Sequence, residues 1–443
     1  MKKFNKNISS SVPDAILQKY HSSISNEKTI CRAPFTALYF HPDGEVGACC
    51  LNKNSYLYGR YPTNTIKEIL ESTPRKVHQK YIRNNNFLLG CNICNDNLLN
   101  QNFSGLMANC YKYQSLKKHI TRIDFELSHQ CNFDCIMCER DKTSSNSFYN
   151  NDFIEEIKPY LKKLEYANFI GGEPFLINIY YQIWEILLDV NPNCLINIQT
   201  NGSILNDRII KLLENKNFIT VISLDSVNNT SYSEIRKGGN LNLVLKNFEI
   251  FNKFMQNKSR NMQISVCPLQ TNYNEIPDII DFANNNKCYI FFNHVDKPKE
   301  LSLKYFNSEK LNKIIEIYSL YSKNFNTDLE HTKQNLRALL GLIQLLKAWQ
   351  SEALEREKNS VLVLKNDIYE FFAKIKDNYN KNIADDLVKL LPENFMISEP
   401  KYREILETDF EDKINQLRKH GHNQEEIIKI ALKYFEIYKT QDF

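Results

Sequence analysis

Three cysteines lie close together in the run Cys131-Asn-Phe-Asp-Cys135-Ile-Met-Cys138, a CxxxCxxC motif directly after a predicted strand. Three thiolates on one tight loop suit three irons of a cubane [4Fe–4S] cluster, and they leave the fourth iron free to bind a cofactor or substrate. A structural zinc ion would normally need four protein ligands, and no fourth cysteine or histidine stands at a natural spacing on this loop. The motif therefore favours a cluster with one open iron, with zinc as the alternative.

A second set of four cysteines lies nearer the N-terminus: Cys31, Cys49, Cys91 and Cys94. Twelve residues separate the first of them from Gly44, four separate Gly44 from the second, and the last two form a CxxC pair. Four thiolates suit a fully ligated [4Fe–4S] cluster, although a zinc ribbon uses similar pairs. Cys50 and Cys110 are further candidates to replace or supplement these ligands, and the sequence leaves that choice open.

Short β-branched or aromatic runs alternate with amphipathic helical stretches through the middle of the chain. The six runs lie at 122–128, 166–171, 194–199, 218–224, 262–268 and 288–295. Six βα units in series predict a parallel sheet, and such sheets place ligand-binding loops after the carboxyl ends of the strands. We therefore expect an α/β fold with its active site at this edge. Cys194, Cys267 and Cys288 fall in these runs and are expected to be small buried core residues.

The regions on either side of these runs differ from them in pattern. Residues 1–29 form an N-terminal extension, and residues 30–112 read as a small cysteine-rich cluster domain with a turn signal at 41–44. The core is assigned to 118–300. Residues 301–443 contain long helical patterns, at 336–358 and 423–438, and no cysteine, so an α-helical region is expected there.

Composition restricts the classes of partner. The 443 residues include 56 basic and 52 acidic side chains, a net charge of +4, which does not call for a nucleic-acid or membrane-surface partner. The N-terminus has no apolar segment typical of a signal peptide, and no run of 18 apolar residues occurs. We expect a cytoplasmic protein without nucleic-acid or membrane partners, in which the twelve cysteines serve metal binding or catalysis rather than disulfides.

A CxxxCxxC loop after the first strand of a six-fold βα series resembles the radical S-adenosylmethionine (SAM) superfamily. The resemblance implies a partial (β/α)6 TIM-like barrel with a [4Fe–4S] cluster on Cys131, Cys135 and Cys138. The second strand ends in Gly171-Gly172-Glu173-Pro174, which is similar to the GGEP loop that holds the methionyl amino group of SAM in this family. Two glycines allow close backbone approach, and the glutamate offers a charge partner to an ammonium group.

Later strand ends are also similar to the family's SAM-binding segments. Thr200 and Asn201 match the TNG segment near the ribose, and Ser223 matches the S-x-D segment. Arg236 matches the R-x-G segment, whose arginine reaches the SAM carboxylate with its planar fork. Met137 stands where the family often has an aromatic side chain near the adenine, and a thioether also packs there. Serine, threonine and asparagine at strand ends also serve as turn and cap residues, which is the alternative for these positions.

The N-terminal cysteine pattern, CX12GX4C followed by CX2C, resembles the SPASM and twitch auxiliary-cluster modules of radical SAM enzymes. In those enzymes the module usually follows the core, whereas here it precedes it. The longer SPASM pattern would place another cysteine at Asn100, so the shorter, one-cluster twitch form fits better. The resemblance thus implies three cofactors: SAM, a SAM-binding cluster and an auxiliary [4Fe–4S] cluster.

The resemblance implies reductive cleavage of SAM to a 5′-deoxyadenosyl radical that abstracts a hydrogen from a substrate. A fully ligated auxiliary cluster suits electron transfer, so the first hypothesis is oxidative modification of a peptide or protein, with a flavodoxin or ferredoxin as electron donor. One alternative is a radical SAM enzyme acting on a sugar or nucleotide metabolite. The other is a non-catalytic, metal-stabilised binding or electron-transfer protein. No acid, base or hydrogen donor is assigned; Asp225, Glu126 and His294 remain candidates.

Overall fold

The computed structural model describes residues 8–23, 29–52, 55–140 and 148–359, together with Asn423 and Glu426. The described residues as far as Trp349 belong to one compact unit, and those from Gln350 onward belong to a second. The strands are β1 (Ala37–Phe40), β2 (Glu45–Gly47), β3 (Gly59–Arg60), β4 (Arg122–Phe125), β5 (Asp134–Cys135), β6 (Tyr166–Phe169), β7 (Leu195–Thr200), β8 (Phe218–Ser223), β9 (Arg236–Lys237), β10 (Gln263–Val266) and β11 (Tyr289–Phe292).

The helices alternate with the strands of the core. They are α1 (Asp14–Ser23), α2 (Ala33–Thr36), α3 (Ile66–Glu71), α4 (Thr73–Arg83), α5 (Asn92–Leu99), α6 (Asn151–Leu161), α7 (Asn178–Val190), α8 (Asp207–Glu214), α9 (Asn229–Ile235), α10 (Leu241–Asn257), α11 (Ile276–Asn285), α12 (Ser308–Lys323) and α13 (Glu330–Asn359). Asparagine side chains cap several of them; Asn150, Asn206 and Asn240 each accept backbone N–H bonds in the first turn of the helix that follows.

The predicted partial (β/α)6 barrel is confirmed. Strands β4, β6, β7, β8, β10 and β11 are the six predicted strands, and each pairs in parallel with the next. Helices connect them, as parallel pairing requires. The sheet stays open between β11 at one end and β3 at the other, so the barrel is not closed.

The cysteine-rich segment contributes strands to this same sheet. Strand β1 pairs in parallel with β4, from Ala37 opposite Arg122 to Phe40 opposite Phe125, and β2 and β3 extend the sheet antiparallel to β1. The predicted turn at 41–44 connects β1 to β2, and Gly44 has a φ of +86°. One continuous nine-stranded sheet therefore joins the cysteine-rich segment to the core.

The two faces of the sheet differ in polarity. Phe125 and Phe169 stack at 4.8 Å on the face that the helices cover, and Trp184 of α7 packs edge-on against Phe169. Asn168, between two apolar neighbours on β6, belongs to the opposite face, which lines a cavity inside the barrel. Successive side chains of these strands therefore alternate between an apolar face packed against the helices and a polar face that lines the inside of the barrel.

The helical prediction for the C-terminal region holds where the structure describes it. The stretch 336–358 lies within α13, and α12 precedes it. The predicted helix at 423–438 lies outside the described residues except for Asn423 and Glu426. Within the described part of the chain, no helix has the length and apolarity to cross a membrane.

Candidate active site

A cavity of about 1200 Å³ opens at the carboxyl ends of the core strands and reaches down into the barrel. Ten of the predicted site residues line it: Cys131, Cys135, Met137, Cys138, Gly171, Gly172, Thr200, Asn201, Ser223 and Arg236. Glu173 and Pro174 are buried beside it and are not part of its wall. The cavity is larger than a single ligand of ordinary size requires, so it has room for a cofactor and a substrate together.

The cysteine loop is paired with the segment that contains Arg236. Strands β5 and β9 form a two-stranded antiparallel ribbon with Cys135 opposite Arg236, and Ile136 N donates to Ile235 O at 3.0 Å. Gly238 directly follows β9 and has a φ of +86°. A Cβ at this position would lie 3.2 Å from Asn132 O, so a glycine allows the two segments to approach closely. The ribbon places the Arg236 guanidinium beside the cysteine loop, and two residues per strand are too few for a periodicity signal in the sequence.

Asn132 is a residue that the sequence pattern did not single out. Its Oδ1 accepts a hydrogen bond from Asn201 Nδ2 at 2.9 Å, and its Nδ2 donates to Ser203 Oγ at 2.9 Å. Ser203 Oγ in turn donates to Asn201 Oδ1 at 2.6 Å. This triangle ties the cysteine loop to the loop after β7, and only its position inside the CxxxCxxC motif could have drawn attention to Asn132.

Glu173 connects two of the predicted SAM-binding loops. Its carboxylate accepts hydrogen bonds from Thr200 Oγ1 at 2.7 Å, Asn201 N at 2.8 Å and Phe175 N at 3.2 Å. It is fully buried, and burial raises the pKa of Glu173 to about 7 although these hydrogen bonds act to lower it. The carboxylate thus holds the loop after β7 against the loop after β6, and its role toward a SAM ammonium stays a prediction.

Gly171 and Gly172 make room for the backbone that leads into the cysteine loop. A Cβ on Gly172 would lie 1.9 Å from Gln130 O, and one on Gly171, whose φ is +123°, would lie 2.5 Å from Ser128 O. Gly172 N donates to Ser128 O at 3.0 Å, and Glu173 N donates to Gln130 O at 2.8 Å. The glycines are therefore needed for loop-to-loop contact as well as for lining the cavity.

Arg236 forms a buried ion pair at the cavity wall. Its Nη2 lies 2.7 Å from Asp225 Oδ2, and Asp225 Oδ1 accepts a hydrogen bond from Cys267 N at 2.7 Å. Burial raises the pKa of Asp225, and the Arg236 charge partly offsets that rise. Arg236 Nε is buried without a hydrogen-bond partner among the described residues. A cationic donor with an unused N–H at this wall fits the carboxylate of SAM.

The four N-terminal cysteines are brought together in the structure. The charges of Cys91 and Cys94 act on Cys31, and those of all three act on Cys49. Burial, followed by repulsion from Cys94, raises the pKa of Cys91 to about 12. Thiols in such surroundings do not ionise on their own, whereas iron holds them as thiolates.

Hydrogen-bond donors surround these sulfurs. Backbone N–H groups of Met107 and Ala108 bond to the Cys94 sulfur, and that of Ala33 bonds to the Cys31 sulfur. His78 Nε2 lies 3.3 Å from Cys91 Sγ, and burial lowers the pKa of His78 to about 4. Donors aimed at sulfur fit the anionic thiolates of an iron–sulfur cluster.

The cysteine sets are not arranged around a single ion. No group of three or more Cys, His, Asp or Glu side chains in the described ranges is close enough to hold one metal ion. Four cysteine sulfurs bound at about 2.3 Å to one zinc ion lie close to van der Waals contact with one another. In a cubane cluster each cysteine sulfur binds a different iron, so the sulfurs lie further apart.

Cys50 and Cys110 differ from the four predicted ligands in their exposure to the cavity. Both line its wall, together with Tyr39, Tyr111 and Gln114, whereas none of the four predicted auxiliary ligands does. Cys110 is also near enough to Cys31 and Cys94 for its charge to act on theirs. The cavity therefore extends from the CxxxCxxC loop toward the second cysteine set.

The interpretation of the remaining cysteines was partly wrong. Cys194 and Cys288 are buried, as expected, but each stands one residue before a strand rather than within it. Cys267 follows β10 and lines the cavity close to Asp225 and Arg236, so it is not a core residue. The run 262–268 looks uniformly strand-like, but β10 ends at Val266, after which the chain turns over the cavity.

The lower part of the cavity is polar but mostly charge-balanced. Arg122 Nη2 pairs with Asp124 Oδ1 at 2.7 Å between the rings of Tyr111 and Tyr166, and Arg140 Nε pairs with Glu126 Oε1 at 3.1 Å. Tyr39 of β1 donates a hydrogen bond to Glu126 as well. Arg236 and Lys297 are the other two cationic side chains among the described lining residues.

Two buried carboxamide oxygens in this wall have no hydrogen-bond partner in the described part of the chain. They are Asn197 Oδ1 and Gln114 Oε1, and each residue is 7% exposed. Asn197 uses its Nδ2 to donate to Asn168 Oδ1 at 2.7 Å, which leaves the oxygen free. An unsatisfied buried acceptor is costly, so these oxygens favour a ligand that donates hydrogen bonds.

Comparison with protein families agrees with this arrangement. Residues 125–283 match the family described as the radical SAM superfamily. Residues 125–283 therefore form a radical SAM domain. Residues 31–97 match the family described as an iron–sulfur cluster-binding domain, SPASM. A radical SAM domain and a SPASM domain indicate [4Fe–4S] clusters in this chain, and they favour the enzymatic interpretation over the non-catalytic one.

Curated relatives match the middle of the chain. A GTP 3′,8-cyclase of Clostridium perfringens (strain SM101 / Type A) is 29% identical over 188 residues, which are 40% of this chain and 55% of the relative. A probable GTP 3′,8-cyclase of Methanocaldococcus jannaschii is 24% identical over 217 residues, 45% of this chain and 70% of the relative. The chain thus spans little more than half the length of the first of these relatives.

Two solved structures are also similar to this chain. One is native anSMEcpe with bound AdoMet, with 17% identity, a TM-score of 0.37, and coverage of 46% of this chain and 60% of that one. The other is Streptococcus suis SuiB bound to the precursor peptide SuiA, with 18% identity, a TM-score of 0.37, and coverage of 52% and 51%. At that TM-score they support no conclusion about this chain.

Proposed function

We propose that this radical SAM enzyme oxidises an uncharged residue of a peptide or protein segment held in the cavity. The observation that carries the proposal is the cavity wall. Three of its four cationic side chains are paired with carboxylates, while Asn197 Oδ1 and Gln114 Oε1 are left as unpaired acceptors among the described residues. Amide N–H groups of a peptide suit such acceptors, and a neutral residue matches the balanced charge.

The SAM site is proposed at the carboxyl ends of β6, β7 and β8. Cys131, Cys135 and Cys138 hold the first cluster, and Gly171, Gly172, Glu173 and Pro174 form the loop at the methionyl end. Thr200, Asn201, Ser223, Arg236 and Met137 complete the set. Arg236 would donate a hydrogen bond from its unused Nε to the SAM carboxylate. Asn132 would hold the cysteine loop against the loop after β7 through its hydrogen bond with Asn201.

The auxiliary cluster is proposed at Cys31, Cys49, Cys91 and Cys94. None of these four residues lines the cavity, so substrate does not reach an iron there, and electron transfer is the suitable role. When bound, SAM and its cluster would supply a 5′-deoxyadenosyl radical, and the auxiliary cluster would be available to take up an electron. The substrate would lose one hydrogen atom to the radical, one electron to the auxiliary cluster and one proton to solvent, which is two electrons and two protons in all, and a flavodoxin or ferredoxin would supply the electron for SAM cleavage.

A second candidate is a nucleotide substrate, because the curated relatives are named GTP 3′,8-cyclases. A triphosphate needs several cationic groups that are not already neutralised. Among the described lining residues, Lys297 is the one cation without a carboxylate within ion-pairing distance. The wall of this cavity therefore favours the peptide over the triphosphate.

Deuterium transfer separates the two candidates. A deuterated bacterial extract is divided by size into peptides and proteins on one side and small molecules on the other. Each fraction, and GTP alone, is incubated with the reconstituted enzyme, SAM and dithionite without oxygen, and 5′-deoxyadenosine is analysed by mass spectrometry. The Cys131→Ala variant is the control for deuterium that enters without SAM cleavage.

We expect deuterium in 5′-deoxyadenosine from the peptide and protein fraction, and the modified peptide should lose two hydrogen atoms, at least one of them deuterium. Transfer from the small-molecule fraction alone, or cyclisation of GTP, would contradict the peptide proposal and support the nucleotide or metabolite alternative. Asn197→Leu should reduce transfer from the peptide fraction, since it removes one of the two acceptors. SAM cleavage in the absence of substrate should persist in that variant.

A further inference from the structure

His78 lies between a tyrosine and one of the predicted auxiliary ligands. Its Nε2 is 3.3 Å from Cys91 Sγ, and its Nδ1 is 2.8 Å from Tyr58 Oη. His78 is 1% exposed and Tyr58 is 3% exposed, so water does not replace either contact. The ring of Tyr56 packs edge-on against the imidazole at 5.6 Å. The imidazole is therefore held in one position against the cysteine.

The two contacts of His78 together favour one position for its ring hydrogen. A neutral imidazole has one donor and one acceptor nitrogen; a phenolic hydroxyl can take either role, whereas a cysteine sulfur that ligates iron carries no hydrogen and can only accept. With Cys91 as a ligand, Nε2 therefore carries the hydrogen and faces the sulfur, and Nδ1 accepts from Tyr58 Oη. Hydrogen bonds to ligating sulfurs stabilise the more negative, reduced form of a cluster and so raise its reduction potential.

We propose that His78 is a positioning residue that donates a hydrogen bond from Nε2 to the Cys91 ligand and raises the reduction potential of the auxiliary cluster. This inference rests on the proposed assignment of Cys91 as a ligand of that cluster. The donors to Cys31 and Cys94 are backbone N–H groups, which no side-chain substitution removes. His78 is a side-chain donor, so its effect on the potential can be measured.

The test uses the full chain with Cys131, Cys135 and Cys138 all changed to alanine, so that only the auxiliary cluster is reconstituted. Bound iron is counted, and the cluster is titrated with a reductant while the reduced form is followed by electron paramagnetic resonance. The variants added to this background are His78→Leu, which removes the donor, His78→Gln, which keeps an N–H at a similar reach, and Tyr58→Phe. His21→Leu, in helix α1, is the control for loss of a histidine.

His78→Leu should lower the ratio of reduced to oxidised cluster about tenfold at a fixed applied potential, a shift of about 59 mV for a one-electron couple. Tyr58→Phe should shift it in the same direction by less, because the hydrogen is then free to occupy Nδ1. His78→Gln and His21→Leu should stay close to the parent chain. Pulsed resonance on protein labelled with ¹⁵N-histidine should show coupling between the cluster and the His78 nitrogen.

An unchanged potential in His78→Leu with about four irons still bound would overturn the inference. If His78→Leu binds no iron, the comparison of Tyr58→Phe with the parent decides, and an unchanged potential there overturns it. Absence of iron from the parent triple variant would instead contradict the auxiliary-cluster assignment itself.

Discussion

The charged side chains inside the barrel stabilise the protein only as pairs. Arg122 and Asp124 are 8% and 1% exposed, and the guanidinium lies between two tyrosine rings. We expect Arg122→Met to lower the free energy of unfolding by about 3–5 kcal/mol, because it leaves the Asp124 carboxylate buried without its cation. Urea unfolding of the apo chain, followed by circular dichroism, measures this loss.

Combining that change with Asp124→Leu should recover most of the stability, since no charge then remains buried. A single variant as stable as the wild type would show that Asp124 is reached by water. A double variant as unstable as the single one would show that packing against the tyrosines, rather than charge, dominates.

Glu173 should make stability depend on pH in a defined direction. Its folded pKa of about 7 lies above the ordinary value of 4.5, so the folded chain keeps a proton that the unfolded chain releases. Between pH 4.5 and 7 the folded state therefore binds more protons. The stabilisation is fully present below pH 4.5 and is lost as pH rises to 7, on the order of 3 kcal/mol in total.

The measurement compares urea unfolding of the apo wild type with Glu173→Gln, which does not titrate, between pH 5 and 8. The free energy of unfolding of the wild type should fall relative to that of the variant as pH rises through this window. A difference between the two proteins that is independent of pH would contradict the raised pKa. Glu173→Gln should also weaken the contact between the loops after β6 and β7 at every pH. Its NH2 group replaces one of the two carboxylate oxygens that accept hydrogen bonds from these loops, and an NH2 group cannot accept them.

Among the elements, the two loops at the head of the barrel depend on close backbone contact. Gly172→Ala would place a methyl group 1.9 Å from Gln130 O, so the segment entering the cysteine loop must move. We expect this variant to lose the SAM-binding cluster and keep the auxiliary one, with about four irons per chain instead of about eight. Iron analysis after anaerobic reconstitution provides the count.

Gly341→Ala, within helix α13, is the matched glycine control and should retain all the iron, because alanine is favoured over glycine inside a helix by about 1 kcal/mol. Full iron content in Gly172→Ala would show that the loops adjust to the methyl group. The need for Gly172 would then lie in SAM binding alone.

On the scale of the whole molecule, the cysteine-rich segment and the barrel are one structure. Strand β1 covers the edge of β4, which would otherwise present unpaired N–H and C=O groups. The same pairing brings Tyr39 of β1 to Glu126 at the end of β4. An N-terminal auxiliary module therefore reaches the barrel through shared backbone hydrogen bonds.

The sequence predicts the parts of this structure that depend on local pattern. Alternating β-branched runs and helices indicated the six parallel strands, and the spacing of Cys131, Cys135 and Cys138 identified the loop after the first of them. The pairing of β1 with β4 has no local signal, because the whole stretch 41–121 separates the end of one strand from the start of the other. Asn132 and the inward position of Cys267 likewise depend on contacts between remote loops.

We propose that this chain holds two clusters on two separate cysteine sets and cleaves SAM at only one of them. The most direct test measures iron and 5′-deoxyadenosine formed from SAM under dithionite, after anaerobic reconstitution. It compares the wild type, the Cys131→Ala, Cys135→Ala, Cys138→Ala chain, and the Cys31→Ala, Cys91→Ala, Cys94→Ala chain. We predict about eight irons with product for the wild type, about four without product for the first variant, and about four with product for the second. Product from the first variant, or bound zinc and no product in the wild type, would contradict the account.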